Sequence, residues 1–106
     1  MTSVIRDILT QLRHELERLY GDRLKSVLLY GSHSRQQAVE GSDIDVMVVL
    51  GGDVRADEEV GRTLACVAEL SLAHDVVISC QFVSERSYDQ SASPLMLNIR
   101  REGIAV

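Results

Sequence analysis

The run Asp43-Ile44-Asp45-Val46-Met47-Val48-Val49-Leu50 constrains this chain more than any other stretch. It is rich in β-branched side chains, which suit a pleated, half-buried surface, and Gly51-Gly52 closes it. The run predicts a strand. Side chains of a strand alternate between faces, so Asp43, Asp45, Met47 and Val49 share one face and Ile44, Val46, Val48 and Leu50 the other. Two carboxylates thus point the same way from an otherwise apolar strand, with Cα atoms roughly 6.6 Å apart. At that separation they repel, and a hard cation between their oxygens relieves the repulsion. The plainer alternative is that Ser42-Asp43 closes a turn and Asp45 faces solvent; a short Asp-x-Asp pattern does not decide between the two.

The flanking segments supply the rest of a sheet with helices. From Ser3 to Tyr20, apolar Ile5, Ile8, Leu9, Leu12, Leu16 and Leu19 recur every three or four residues, with Thr2 or Ser3 available as N-cap and Gly21 to end the helix. Leu24–Tyr30 predicts a strand running into a tight Gly31-Ser32 turn, and 34–38 a single helical turn. The segment from Arg55 to Ala73 carries Val60, Leu64, Val67, Ala68 and Leu72 on one helical stripe, interrupted by Gly61. Asp75–Val83 has strand length and composition, and Ser84 and Ser93-Pro94 suit the starts of short helices. This order predicts an α/β or α+β domain, a small sheet packed against helices, and leaves strand direction open.

At 106 residues the chain has the size of one domain, so residues 1–106 are read as a single unit with little room for a separate acceptor-binding domain. No apolar run approaches the roughly 20 residues that span a bilayer, and the N-terminus lacks a basic segment followed by an apolar one. A soluble, cytoplasmic protein is the expectation. Cys66 and Cys80 are then read as buried free thiols without a role. Net charge of −5 opposes non-specific binding to a phosphate backbone, which argues against nucleic acid as a direct ligand.

The turn before the acidic strand changes the weight of Asp-x-Asp. Gly31 lets the backbone come close to a ligand, where N–H groups and the Ser32 hydroxyl can hold phosphate oxygens. Gly31-Ser32, ten residues, then Asp43-Ile44-Asp45, within Leu28-Leu29-Tyr30-Gly31-Ser32-His33-Ser34-Arg35 and Ala38 to Val46, closely resembles the signature of polymerase-β-like nucleotidyltransferases, in particular the minimal members (MNT) paired with HEPN proteins. Ile99-Arg100-Arg101-Glu102-Gly103-Ile104 is similar to the usual family ending. The resemblance implies the polymerase-β-like nucleotidyltransferase fold, with Gly31 and Ser32 holding a triphosphate and Asp43 and Asp45 binding Mg²⁺. It also implies a third acidic residue from a later strand, for which Asp75, opening Asp75-Val76-Val77-Ile78, is the match, ahead of Asp53, Asp57 and Asp89; the plainer alternative is a cap after the long helix. Asp75 would then bind metal and help to deprotonate an acceptor hydroxyl in a two-metal displacement at the α-phosphorus of ATP. Arg35 and Ser42 belong to the matching stretch, Arg35 as a phosphate or partner contact or simply a solvated turn residue.

Where members of the group often carry a small residue soon after the arginine, this chain has Gln36 and Gln37, which affects the expected loop shape. His14, His33 and His74 are given no role, because packing and surface histidines are the commoner case. The resemblance implies an antitoxin that transfers AMP to a tyrosine hydroxyl of a HEPN toxin. Neutralisation by binding alone, or transfer to a small molecule, are the alternatives.

Overall fold

The computed structural model describes residues 2–35, 38 and 41–106. The one helical turn expected over 34–38, and the loop shape set by Gln36 and Gln37, fall partly or wholly outside these residues. The elements run α1 (Ser3–Tyr20), a 3₁₀ turn (Gly21–Arg23), β1 (Leu24–Tyr30), β2 (Ile44–Leu50), α2 (Ala56–His74), β3 (Ile78–Ser84), α3 (Glu85–Gln90), α4 (Pro94–Glu102) and β4 (Ile104–Ala105). Thr2 caps α1 by accepting from the Ile5 N–H at 3.2 Å. Ser84 and Ser93 cap α3 and α4 in the same way, accepting from the Ser87 and Met96 N–H groups.

The strands form one four-stranded sheet in the order β3-β2-β1-β4. β1 is antiparallel to β2 and to β4, and β2 is parallel to β3, the two being joined through α2. The sheet is therefore mixed, which settles the strand directions that composition left open. β4 completes one edge: Val106 N–H donates to the Val27 carbonyl at 2.9 Å, and Arg13 donates to the Val106 carbonyl at 2.8 Å.

β2 is buried on both faces. Ile44, Val46, Val48 and Leu50 pack with Val27, Leu29, Ile78 and Phe82 under α1 and α2. Met47 and Val49 pack on the other side with Leu28, Met96 and Ile99, beneath α3 and α4. The alternation expected of Asp43–Leu50 is thus realised, and the Asp43/Asp45 face is the one that α4 covers only in part.

Both long helices turn differently from their apolar patterns. On α1, Tyr20 is buried and Leu19 is exposed. On α2 the departure is larger: Glu59, Thr63 and Leu70 are buried, whereas Val60, Leu64 and Leu72 are 46%, 62% and 83% exposed. A buried polar network fixes this orientation. Glu59, 2% exposed, accepts from the Tyr20 hydroxyl at 3.1 Å and lies 3.1 Å from the Arg23 guanidinium. Arg23 in turn donates from Nε to the Gly51 carbonyl at 2.9 Å, and the Arg23 and Arg62 guanidiniums lie 5.8 and 5.9 Å from the Tyr20 ring centre. A carboxylate turned inward needs such partners, and once they hold it the helix cannot rotate its apolar stripe to the core.

Among the described residues no helix is long and apolar enough to cross a membrane. Cys66 and Cys80 are free and partly buried; burial pushes the Cys80 thiol up to about 12, so it stays protonated and unreactive near neutral pH.

Candidate active site

β1 ends in a turn at the place where β2 begins. Gly31 has φ +74°, and its carbonyl accepts from the Ser34 hydroxyl at 2.9 Å and the Arg35 N–H at 3.3 Å. The turn doubles back over β2 so closely that a Cβ on Gly31 would lie 2.4 Å from Asp45 Oδ2. Glycine is therefore required twice at this position, for the left-handed backbone and for the approach of the carboxylate. Ser32, next to it, is half-buried.

Asp45 stands between Tyr30 of β1 and Ser79 of β3 in the ladder. It is half-buried, while Asp43 is exposed at the open end of the strand. Burial raises the Asp45 carboxyl above the usual carboxylate range, repulsion from Asp43 raises it further, and His33 opposes both. Burial and the Asp45 charge raise the Tyr30 phenol as well. Burial and the neighbouring Asp43 thus disfavour the negative charge of Asp45, and His33 offsets them in part. His33, which composition gave no reason to select, belongs to this environment: its Nε2 lies 3.3 Å from the Ser42 carbonyl and ties the turn to the start of β2. Its position directly after Gly31-Ser32 was the available signal. Arg35 is exposed and faces Glu102 of α4 at 3.6 Å, across a cavity of about 180 Å³ that Tyr30, Gly31, Ser34 and Asn98 also line.

Residues 9–90 match the nucleotidyltransferase domain family. The chain belongs to that family. A protein of Methanocaldococcus jannaschii, provisionally assigned as a protein adenylyltransferase, is 32% identical over 89 residues, covering 83% of this chain and 83% of its own. Two solved structures have the same fold. One is a chain of a toxin–antitoxin complex with AMP-PNP, with TM-score 0.61 and 18% identity over 88% of this chain and 68% of that one. The other is a chain of a complex between a tri-AMPylated Shewanella oneidensis HEPN toxin and an MNT antitoxin, with TM-score 0.52 and 20% identity over 96% of this chain and 67% of that one. The nucleotidyltransferase fold expected from the signature is the fold found.

Within this nucleotidyltransferase domain, Asp75 does not sit where the sequence pattern suggests. It was expected to open the third strand. Instead α2 continues to His74, and Asp75 closes it in a left-handed conformation, φ 52°, with Val76 N–H donating to the Ser71 carbonyl at 3.0 Å. Asp tolerates that conformation better than most residues, and the helix-closing bonds prevail over the strand tendency of the sequence. Asp75 lines a cavity of about 490 Å³ with Ile5, His33, Ser42, Ile44 and Val76. Ile44 points to the α1/α2 side of the sheet, whereas Asp43 and Asp45 point to the α4 side. Among the described residues, no three His, Cys, Asp or Glu side chains come together as a group that could hold a metal ion. The donor set suits a single hard cation shared by Asp43, Asp45 and phosphate oxygens, since Mg²⁺ is commonly held by one or two carboxylates plus substrate phosphates.

Proposed function

We propose that this protein is an antitoxin that transfers AMP from ATP to a hydroxyl, a tyrosine, of a HEPN-type partner in the cytoplasm. The observation that carries the reading is the packing of Asp45 against Gly31: it sets a phosphate-cradling turn and a repelling carboxylate pair side by side. In this reading Gly31 and Ser32 bind the triphosphate through the turn, and Asp43 and Asp45 would hold Mg²⁺ against it. When bound, Mg²⁺ supplies charge neutralisation at the phosphates. Arg35 swings from Glu102 to the phosphates, and Ser42, tied to His33, keeps the start of β2 in register with the turn. The acceptor oxygen forms a bond to the α-phosphorus, the α–β anhydride breaks, pyrophosphate leaves, and the acceptor proton passes to water at the open side of Asp43. Asp75 is assigned to the rim of the larger cavity, which is of nucleoside-binding size. The adenylyltransferase assignment of the archaeal relative and the AMPylated HEPN partner of a structural neighbour support this choice of chemistry and acceptor.

The second reading is neutralisation by binding alone. It is favoured by the lack of a third carboxylate beside the pair among the described residues. ATP labelled on its α-phosphate separates the two. Label on a co-expressed HEPN partner with wild-type protein, and none with Asp43→Asn, is the expected result. A stable complex without label sinks the enzymatic reading.

A further inference from the structure

The register of the sheet fixes what flanks Asp45. Laterally paired residues of neighbouring strands point to one face and lie roughly 5 Å apart, so Tyr30 and Ser79 are the two side chains beside this carboxylate. Ser79 is half-buried, and its hydroxyl makes no hydrogen bond to any described residue. It is therefore the β3 oxygen available to whatever binds at the pair. Among the described residues no third carboxylate joins the pair as a metal-holding group: Glu102 faces Arg35, and Asp75 lines the cavity with Ile5 and Ile44. Two divalent cations held roughly 3.5–4 Å apart for in-line transfer repel each other, and each needs anionic ligands of its own. Among the described residues, two carboxylates and a hydroxyl do not provide a second set.

We propose that Ser79 sets the metal count of the site: with a hydroxyl rather than a carboxylate beside Asp45, the chain holds its nucleoside triphosphate with one divalent cation. This rests on the nucleotidyl-transfer reading. Ser79 leaves the charge of the site at that of Asp43 and Asp45, without the further carboxylate that would recruit a second ion.

The test counts Mn²⁺ by the loss of the free-ion electron paramagnetic resonance signal, in full-length protein with the non-transferable α,β-methylene analogue of ATP. One Mn²⁺ per bound nucleotide is expected for wild type and for Ser79→Ala, and two for Ser79→Asp. Two in wild type, or one in a folded, nucleotide-binding Ser79→Asp, overturns the proposal. The wild-type count decides even if Ser79→Asp does not fold. A wild type that retains no nucleotide at all refutes the nucleotidyl-transfer reading itself, and so is told apart from a wrong count.

Discussion

Replacing Gly31 by Ala puts two separable costs on one atom. The first is conformational: an L-residue at φ +74° pays roughly 1–2 kcal/mol, which in a domain of this size lowers the melting temperature by roughly 4–16 °C. The second is steric. The new methyl would sit 2.4 Å from Asp45 Oδ2, so that oxygen must retreat by roughly 1 Å to reach ordinary contact. A carboxylate tip moves at little cost to folding, so the second effect belongs to function, where a displacement of this size costs on the order of 100-fold in rate. Gly52→Ala is the control, because Gly52 has φ +78° with nothing within 4 Å of a built Cβ. Thermal unfolding by circular dichroism should show similar losses for both variants, while labelled AMP transfer and ATP binding by calorimetry should fail only in Gly31→Ala. If Gly31→Ala transfers within about threefold of wild type, the contact between turn and carboxylate does not position the site.

Three further perturbations follow from the same geometry. Because the Asp45 carboxyl is raised in the folded state, ionising it costs stability. That cost is absent below the ordinary carboxylate value near pH 4, grows as pH rises through the folded value, and is constant above it. In chelator, Asp45→Asn should therefore melt higher than wild type at pH 7, with the difference shrinking toward pH 4; a lower melting point at pH 7 would contradict the assignment. Glu59→Ala leaves the Tyr20 hydroxyl without its carboxylate and Arg23 without its ion pair, and should cost roughly 2–4 kcal/mol in urea unfolding, discounted because Arg23 is partly exposed. Glu102→Gln removes one exposed ion pair of Arg35 worth at most about 1 kcal/mol, so ATP should bind up to about fivefold more tightly by calorimetry; weaker binding would place Glu102 on the nucleotide side instead.

How far the fold can be read from the chain depends on which interactions are local. α1, β1, β2 and the two serine-capped helices follow from periodicity and capping, which act over a few residues, and they appear within a residue or so of expectation. The face of α2 did not follow, because its orientation is decided by Glu59 meeting Tyr20 and Arg23, contacts 39 and 36 positions away that an apolar count ignores. The expectation that Asp75 opens the third strand missed for a related reason. Val76 and Val77 are strand-like, but three residues of sequence cannot weigh a helix-closing bond to Ser71 against a strand bond, and the helix took Asp75. The Gly31/Asp45 approach was legible as chemistry, since a Gly-Ser turn and paired aspartates point to phosphate and cation, yet not as a contact, because only the antiparallel β1/β2 register sets Tyr30 opposite Asp45 and brings the turn back over it. Ser79 was invisible for the same reason. An acidic residue draws the eye toward a metal site, while the residue beside Asp45 is chosen by the parallel register of β2 and β3, and that register places a serine there. What a nucleotidyltransferase domain of this kind can hold is therefore decided less by how many aspartates its sequence offers than by which of them the sheet turns to one face.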